Sequence, residues 1–199
     1  MKTQELSKHS KYTDGNPISR GLVFNFFNNI SKTIENLKFD SVLDCGCGEG
    51  LLLKFLEDKI NNVKKISAID IDPEEIKSAQ KNIPFCEVSV GSVYDLKFAD
   101  NLYDLVLCTE VLEHLEDPVK AMTEISRVSK KYVVFSVPRE PIWRMMNVAR
   151  LKYLNHLGNT PGHLNHWNVS SFEKFVSKYF VIQKKLTPLP WIILFCVKK

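Results

Sequence analysis

A chain of 199 residues with 44% hydrophobic content suits a single domain, 1–199, with an ample core. Its net charge of +4 permits an anionic partner without requiring one, so charge alone does not mark a nucleic-acid binder. The first fifteen residues lack the apolar stretch of a signal peptide, and the longest late apolar run, Trp191 to Val197, is far too short to span a bilayer; a cytoplasmic protein is expected. Cysteines 45, 47, 86, 108 and 196 sit mostly in segments that read as buried strands or their ends, as reduced core thiols of an intracellular protein do. Cys45 and Cys47 form C-x-C, with no second pair at zinc-ribbon spacing, which argues against a structural zinc site.

Residues 1–16 are polar, and Pro17 and Ile18 open an apolar pattern near helical period through Leu22, Phe26, Ile30 and Ile34. This leader, 1–36, precedes VLDCGCGEG, Val42 to Gly50, which reads as a buried strand, a glycine turn and an immediate helix from Leu51. In open α/β sheets ligands bind beyond the carboxyl ends of the strands, where a helix N-terminus offers free backbone N–H groups. A dinucleotide fingerprint would need a small residue at position 51, where Leu51 stands, and would not place Asp44 where a pyrophosphate is repelled. A cationic amino group would be welcomed there.

The pattern D-x-G-x-G-x-G from Asp44 through Gly46, Gly48 and Gly50 resembles motif I of the class I S-adenosylmethionine-dependent methyltransferases. The resemblance implies a Rossmann-like α/β fold: a seven-stranded, mostly parallel sheet with an antiparallel C-terminal hairpin strand and helices on both faces. It implies S-adenosyl-L-methionine as cofactor, held by Asp44, Gly46, Cys47 and Gly48. It also implies that the leader helix covers the pocket and that an aromatic ahead of it, Tyr12, touches the cofactor.

Further along, KKISAIDID predicts a second strand ending at Asp70, followed by a helix capped by Asp72 with Pro73 in its first turn. Asp70 lies 24 residues beyond Gly46, an offset suited to accepting two ribose hydroxyls, and Ile71 would pack on the adenine face. A third strand, Pro84 to Val90, closes in Gly91-Ser92-Val93. The resembling family usually has an acidic residue where Ser92 stands, accepting from the adenine amino group; serine accepts more weakly, and backbone groups of Ser92 and Val93 would serve instead. Tyr103 to Cys108 is a fourth buried strand, and its last residues, Cys108 and Thr109, are expected by resemblance near the methionine part of the cofactor. A helix from Asp117 to Ser129 and a fifth strand, Tyr132 to Val137, complete the cofactor-binding core, 37–137.

The stretch 138–168 is rich in Arg, aromatics, Met and His and reads as an insertion capping the substrate pocket. Ile142, Met145, Met146 and Ala149 share one helical face, expected to pack on the domain, with Arg144, Arg150 and Lys152 elsewhere. Contact of 138–157 with an anionic membrane surface, or with nucleic-acid phosphate, is the lesser expectation. Residues 169–199 supply a helix, Ser171 to Lys178, and two strands around Thr187 to Pro190.

EVLEHL follows the fourth strand, an arrangement frequent in the type 11 methyltransferases. Glu110, Glu113 and His114 have i, i+3, i+4 spacing, which on a helix would put three ligand atoms on one face. Quinone-pathway O-methyltransferases and small-RNA 2′-O-methyltransferases look similar here, and use this pattern to hold Mg2+ or Mn2+; the RNA group adds a later histidine, for which His166, or less readily His163, is placed. Without a metal, His114 would act as base, supported by Glu113. The expected activity is methyl transfer to a small or lipid-linked acceptor, at a hydroxyl oxygen. An RNA 2′-O-methyltransferase and a noncatalytic cofactor-binding subunit are the alternatives; oligomeric state is not legible.

Overall fold

The computed structural model describes residues 17–199. Seven strands form one sheet in the order β3-β2-β1-β4-β5-β7-β6. These are β1 (Ser41–Cys45), β2 (Lys65–Asp70), β3 (Glu87–Val90), β4 (Tyr103–Thr109), β5 (Ser129–Pro138), β6 (Phe180–Leu186) and β7 (Trp191–Lys198). The first five run parallel, and β7 lies antiparallel between β5 and β6. The chain thus winds outward from β1 to β3, then returns to β4 on the other side. The β1/β4 seam is the switch point where such sheets open a crevice at their carboxyl ends.

Successive side chains of the central strands alternate between two cores, as strand geometry requires. Val42, Leu105 and Leu107 pack on one face under α1 (Pro17–Ile34), α2 (Leu51–Ile60) and α3 (Pro73–Asn82). Leu43, Val106 and Cys108 pack on the other, under α4 (Pro118–Val128) and α6 (Val169–Val176). The short helix α5 (Ile142–Ala149) stands outside both layers, at the carboxyl end of β5.

Local chemistry sets the boundaries. Asp72 caps α3 by accepting from the Glu74 N–H at 2.8 Å, with Pro73 in the first turn where no N–H is needed. The third strand starts at Glu87, later than Pro84, because the Cys86 N–H turns back to the Ile83 carbonyl and holds Pro84 to Cys86 in a turn. The last helix starts at Val169, two residues before Ser171, because Asn168 and Ser171 form a reciprocal capping box. On α1 the buried stripe is Val23, Phe26, Phe27, Ile30 and Ile34, whereas Ile18 is exposed. Phe24 and Phe27 meet Phe55 of α2, and Phe26 lies 4.7 Å from Trp191 of β7, so the leader helix bridges the glycine-turn helix and the far side of the sheet.

Candidate active site

The glycine turn hangs from the end of β2. Gly46 and Cys47 donate backbone N–H groups to the Ile69 carbonyl at 2.8 and 2.9 Å, and Gly48 donates to Asp70 Oδ2 at 2.8 Å. Asp70 Oδ1 accepts from the Asp72 N–H at 3.0 Å. One carboxylate therefore fixes both the turn after β1 and the turn after β2, with lone pairs of both oxygens still available. Two of the turn's glycines are required by packing as well as by backbone conformation. A Cβ on Gly46 (φ +76°) would lie 2.3 Å from Val111 Cγ2, and one on Gly50 (φ +78°) 2.8 Å from Ile83 Cδ1.

A cleft opens above this turn, bordered by Gly46, Asp70, Ile71, Ser92, Val93 and Glu110, among others. Ile71 is 72% exposed there and presents an apolar face to the cleft. The Ser92 hydroxyl is partly occupied, accepting from the Tyr94 N–H at 3.2 Å. Asp44 lies beneath the turn, almost wholly buried, with Oδ1 lacking any hydrogen-bond partner. Burial, with the nearby Asp70 charge adding to it, raises its carboxyl to about 7. Cys47 turns its side chain into the core under α1, and Cys108 is buried among the residues facing α4; neither they nor Gly48 and Thr109 border the cleft. Tyr12 lies outside the described residues.

A second cavity, of about 260 Å3, adjoins the first. Phe26, Trp143 and Trp191 give it aromatic walls, Met146, Tyr153 and His163 come from residues 138–168, and Glu113 closes its floor. Glu110 and His114 border both cavities.

Glu110, Glu113 and His114 come together by a route different from a helix. Glu110 has left-handed backbone (φ 58°), which breaks any helical continuation from β4, and only Leu112–His114 form a single 3-10 turn. The Glu110 carboxylate accepts from the Ser136 hydroxyl at 2.8 Å and from Trp191 Nε1–H at 2.7 Å. Glu113 is 1% exposed and its Oε2 has no partner. Desolvation raises the carboxyls of both, and for Glu113 the Glu110 charge adds to it.

The 3-10 turn is held from outside. The Glu113 carbonyl accepts from the Leu164 and Asn165 N–H groups, and the Asn165 side-chain amide donates to the Leu112 and Leu115 carbonyls. His114 Nδ1 lies 3.0 Å from the Gly162 carbonyl, which can only accept, so Nδ1 carries the hydrogen and Nε2 presents its lone pair. His163 packs edge-on against His114 at 4.8 Å and stacks on Trp143. Its burial, with His114 adding, lowers its pKa to about 4, which keeps the ring neutral at physiological pH. One ligand atom each from Glu113, His114 and His163 all lie within 4.8 Å of one another.

His166 stands apart from this group. It accepts from Arg144 at 3.0 Å through Nε2 and faces Glu140 through Nδ1 at 3.7 Å, so its two nitrogens serve to tie the start of α5 to the end of the insertion. The geometry thus replaces the expected His166 by His163 beside His114. Asn165, Gly162 and Trp191 also belong to the site and drew no attention in the sequence, because each acts through a partner 48 to 81 residues away.

Residues 43–137 match the family model described as "Methyltransferase domain". An uncharacterised methyltransferase of Schizosaccharomyces pombe is 35% identical over 103 residues, covering 47% of this chain and 37% of that protein. A ubiquinone biosynthesis O-methyltransferase of Alkalilimnicola ehrlichii is 29% identical over 136 residues, covering 64% of this chain and 54% of that protein. The chain therefore spans about half the length, or less, of these curated relatives. Among solved structures, a SAM-dependent methyltransferase from Aquifex aeolicus superposes with a TM-score of 0.73 at 18% identity, over 96% of this chain and 98% of the other.

Proposed function

We infer, from a chain that carries a class I S-adenosylmethionine-dependent methyltransferase domain at residues 43–137, that its activity is methyl transfer to a hydroxyl oxygen of a small or lipid-linked acceptor. The observation that carries the reading is that Glu110 and His114 border both cavities, so a cofactor in the cleft and an acceptor in the aromatic cavity would meet across them. In this reading residues 1–36 and 138–168 enclose the acceptor, 37–137 hold the cofactor and 169–199 complete the sheet.

The cleft fits S-adenosylmethionine. Asp70 retains acceptor capacity for ribose hydroxyls, Ile71 offers an apolar face to adenine, and the unpartnered Asp44 carboxyl favours a cationic ligand over a phosphate. The cofactor brings an activated methyl group, so the protein's task is alignment and exclusion of water. Phe26, Trp143 and Trp191 wall the acceptor off from solvent, and His114 Nε2 takes the hydroxyl proton while Gly162 holds the ring's other nitrogen.

Glu113, His114 and His163 suit Mn2+ better than Mg2+, since they combine a buried carboxylate oxygen lacking a partner with two imidazoles within reach, and imidazole nitrogen is a poor ligand for the harder Mg2+. Such an ion would lower the pKa of a coordinated hydroxyl. Glu110 stands next to this set, with its oxygens already accepting from Ser136 and Trp191. The test is calorimetric titration of manganese into metal-stripped protein saturated with S-adenosylhomocysteine, repeated on His114→Ala. Saturable binding that the variant loses, and that weakens as pH falls because Glu113 must give up a proton, is the expected result. Absence of manganese binding removes the metal and leaves His114 as base, whereas absence of S-adenosylhomocysteine binding overturns the methyltransferase reading itself.

Asp44 gives a separate pH signature. With its folded pKa raised to about 7, its protonation stabilises the ligand-free fold fully below the ordinary aspartate range, and that contribution is lost as pH rises through 7. A cationic ammonium placed nearby favours the ionised form. Binding of S-adenosylhomocysteine at about pH 6 should therefore release up to about one proton, read from calorimetry in buffers of different ionisation enthalpy. Release should fade above about pH 8 and vanish in Asp44→Asn.

A further inference from the structure

Thr160 lines the aromatic cavity, and its hydroxyl oxygen is already occupied by two N–H groups. Trp143 Nε1–H donates to Oγ1 at 2.9 Å, and the Asn147 side-chain amide donates to it at 3.2 Å. Neither can act otherwise. An indole N–H only donates. The Asn147 amide is fixed in orientation, because Nδ2 also donates to the Gly158 carbonyl at 2.9 Å while Oδ1 accepts from Arg150 at 2.7 Å. Flipping it would set oxygen against carbonyl and NH2 against guanidinium around a buried side chain.

A hydroxyl carries two lone pairs and one proton. With both lone pairs taken, Thr160 has only its proton left to offer, and the hydroxyl donates to no group among the described residues. The residue's own carbonyl accepts from the His163 N–H at 3.1 Å, so the hydroxyl and the His163 ring belong to one turn at the cavity wall. Thr160 is therefore a polar point of fixed sense, a donor that cannot accept. A ligand group that only donates finds no lone pair there, and an aliphatic group leaves the proton without a partner. An oxygen that only accepts satisfies it.

We propose that Thr160 is a specificity-determining residue whose O–H donates to an acceptor-only oxygen of the bound ligand: a carbonyl, carboxylate or ether oxygen. In the methyltransferase reading this oxygen is distinct from the hydroxyl that is methylated. The methyl acceptor is then a hydroxy compound with a second oxygen of this kind, its apolar body lying against Phe26, Trp143 and Trp191 and its hydroxyl at His114. That description of the acceptor rests on the methyltransferase reading; the fixed donor does not.

The experiment titrates two probes of matched shape into isotope-labelled protein saturated with S-adenosylhomocysteine, followed by NMR. Acetophenone carries a ketone oxygen that only accepts, and α-methylstyrene replaces that oxygen by a methylene group. The indole N–H signal of Trp143 is the readout, because it donates to the hydroxyl under test. Acetophenone should move this signal further downfield than α-methylstyrene does, since a hydroxyl that donates becomes a stronger acceptor, whereas the ring currents of the two probes match. Thr160→Val should weaken acetophenone binding at least about fivefold and α-methylstyrene binding less than about twofold. Thr160→Ser keeps the hydroxyl and should hold acetophenone affinity within about twofold of the unmodified protein. Equal indole shifts with both probes, no saturable shift with acetophenone, or unchanged acetophenone affinity in Thr160→Val overturns the proposal. If the valine variant does not fold, the indole shifts in the unmodified protein decide alone. Failure of the unmodified protein to bind S-adenosylhomocysteine would instead strike the methyltransferase reading, and the same titration without it would still test Thr160.

Discussion

Asp70→Ala is expected to cost the chain most of its affinity for S-adenosylhomocysteine, on the order of a hundredfold by calorimetry. Two losses coincide. The variant lacks the acceptors suited to the ribose hydroxyls, and it leaves the Gly48 and Asp72 N–H groups without their carboxylate, so the turn that shapes the cleft is no longer pinned. Asp70→Asn separates these effects: one oxygen remains to hold a backbone N–H, while an NH2 group opposes the other. An intermediate loss would show that both matter, and near-unchanged binding in the alanine variant would remove the cofactor from this cleft.

His114→Ala should have the opposite signature, with S-adenosylhomocysteine affinity within about threefold of the unmodified chain and turnover lower by about 10²–10⁴. His114 borders both cavities, and its Nδ1 is anchored to the Gly162 carbonyl, which leaves Nε2 for the acceptor in the proposed reading. Glu113→Gln is the gentler partner experiment, because the side chain keeps its shape in a site where truncation would leave a buried void. It should depress turnover while sparing cofactor affinity, and with manganese present it should abolish metal binding. Loss of cofactor affinity in both variants would place Glu113 and His114 in the cofactor's own shell.

Most of the sheet was legible because its signals are local. The buried apolar strands, the glycine turn at Gly46 to Gly50 and the Asp72-Pro73 cap each rest on signals within a few residues, and apart from the later start of β3 the structure places them where the sequence does. Asp70 and Ile71 were legible for the same reason, since a strand end fixes where they face. Cys108 was placed near the cofactor by resemblance, but strand alternation sends its side chain into the opposite core. The spacing of Glu110, Glu113 and His114 was read as one helical face, yet nothing within that hexapeptide reveals that Ser136 and Trp191 hold Glu110 in left-handed backbone. The choice between His163 and His166 was equally beyond reach: it depends on Glu140 and Arg144 engaging one histidine and on Trp143 stacking against the other. The expected apolar face of α5 packs only in part for a similar reason: the carbonyl of Gly158 draws Asn147 inward, so Ile142 and Met146 are half-buried while Met145 and Ala149 stay exposed.

The position of β7 carries a consequence for how activity first arises in a newly made chain. Synthesis delivers β5 and β6 before β7, but β7 must lie between them, so the sheet keeps an open slot until residues 191–198 have left the ribosome. Trp191, the first residue of β7, donates to the Glu110 carboxylate and walls the aromatic cavity, and the Pro190 carbonyl accepts from the Arg139 N–H at the root of the insertion. The residues that border the glycine-turn cleft all precede β7, whereas the aromatic cavity lacks Pro190 and Trp191 until β7 is in place. In the reading proposed above, an intermediate ending before position 190 should therefore bind S-adenosylhomocysteine by calorimetry and transfer no methyl group in an activity assay.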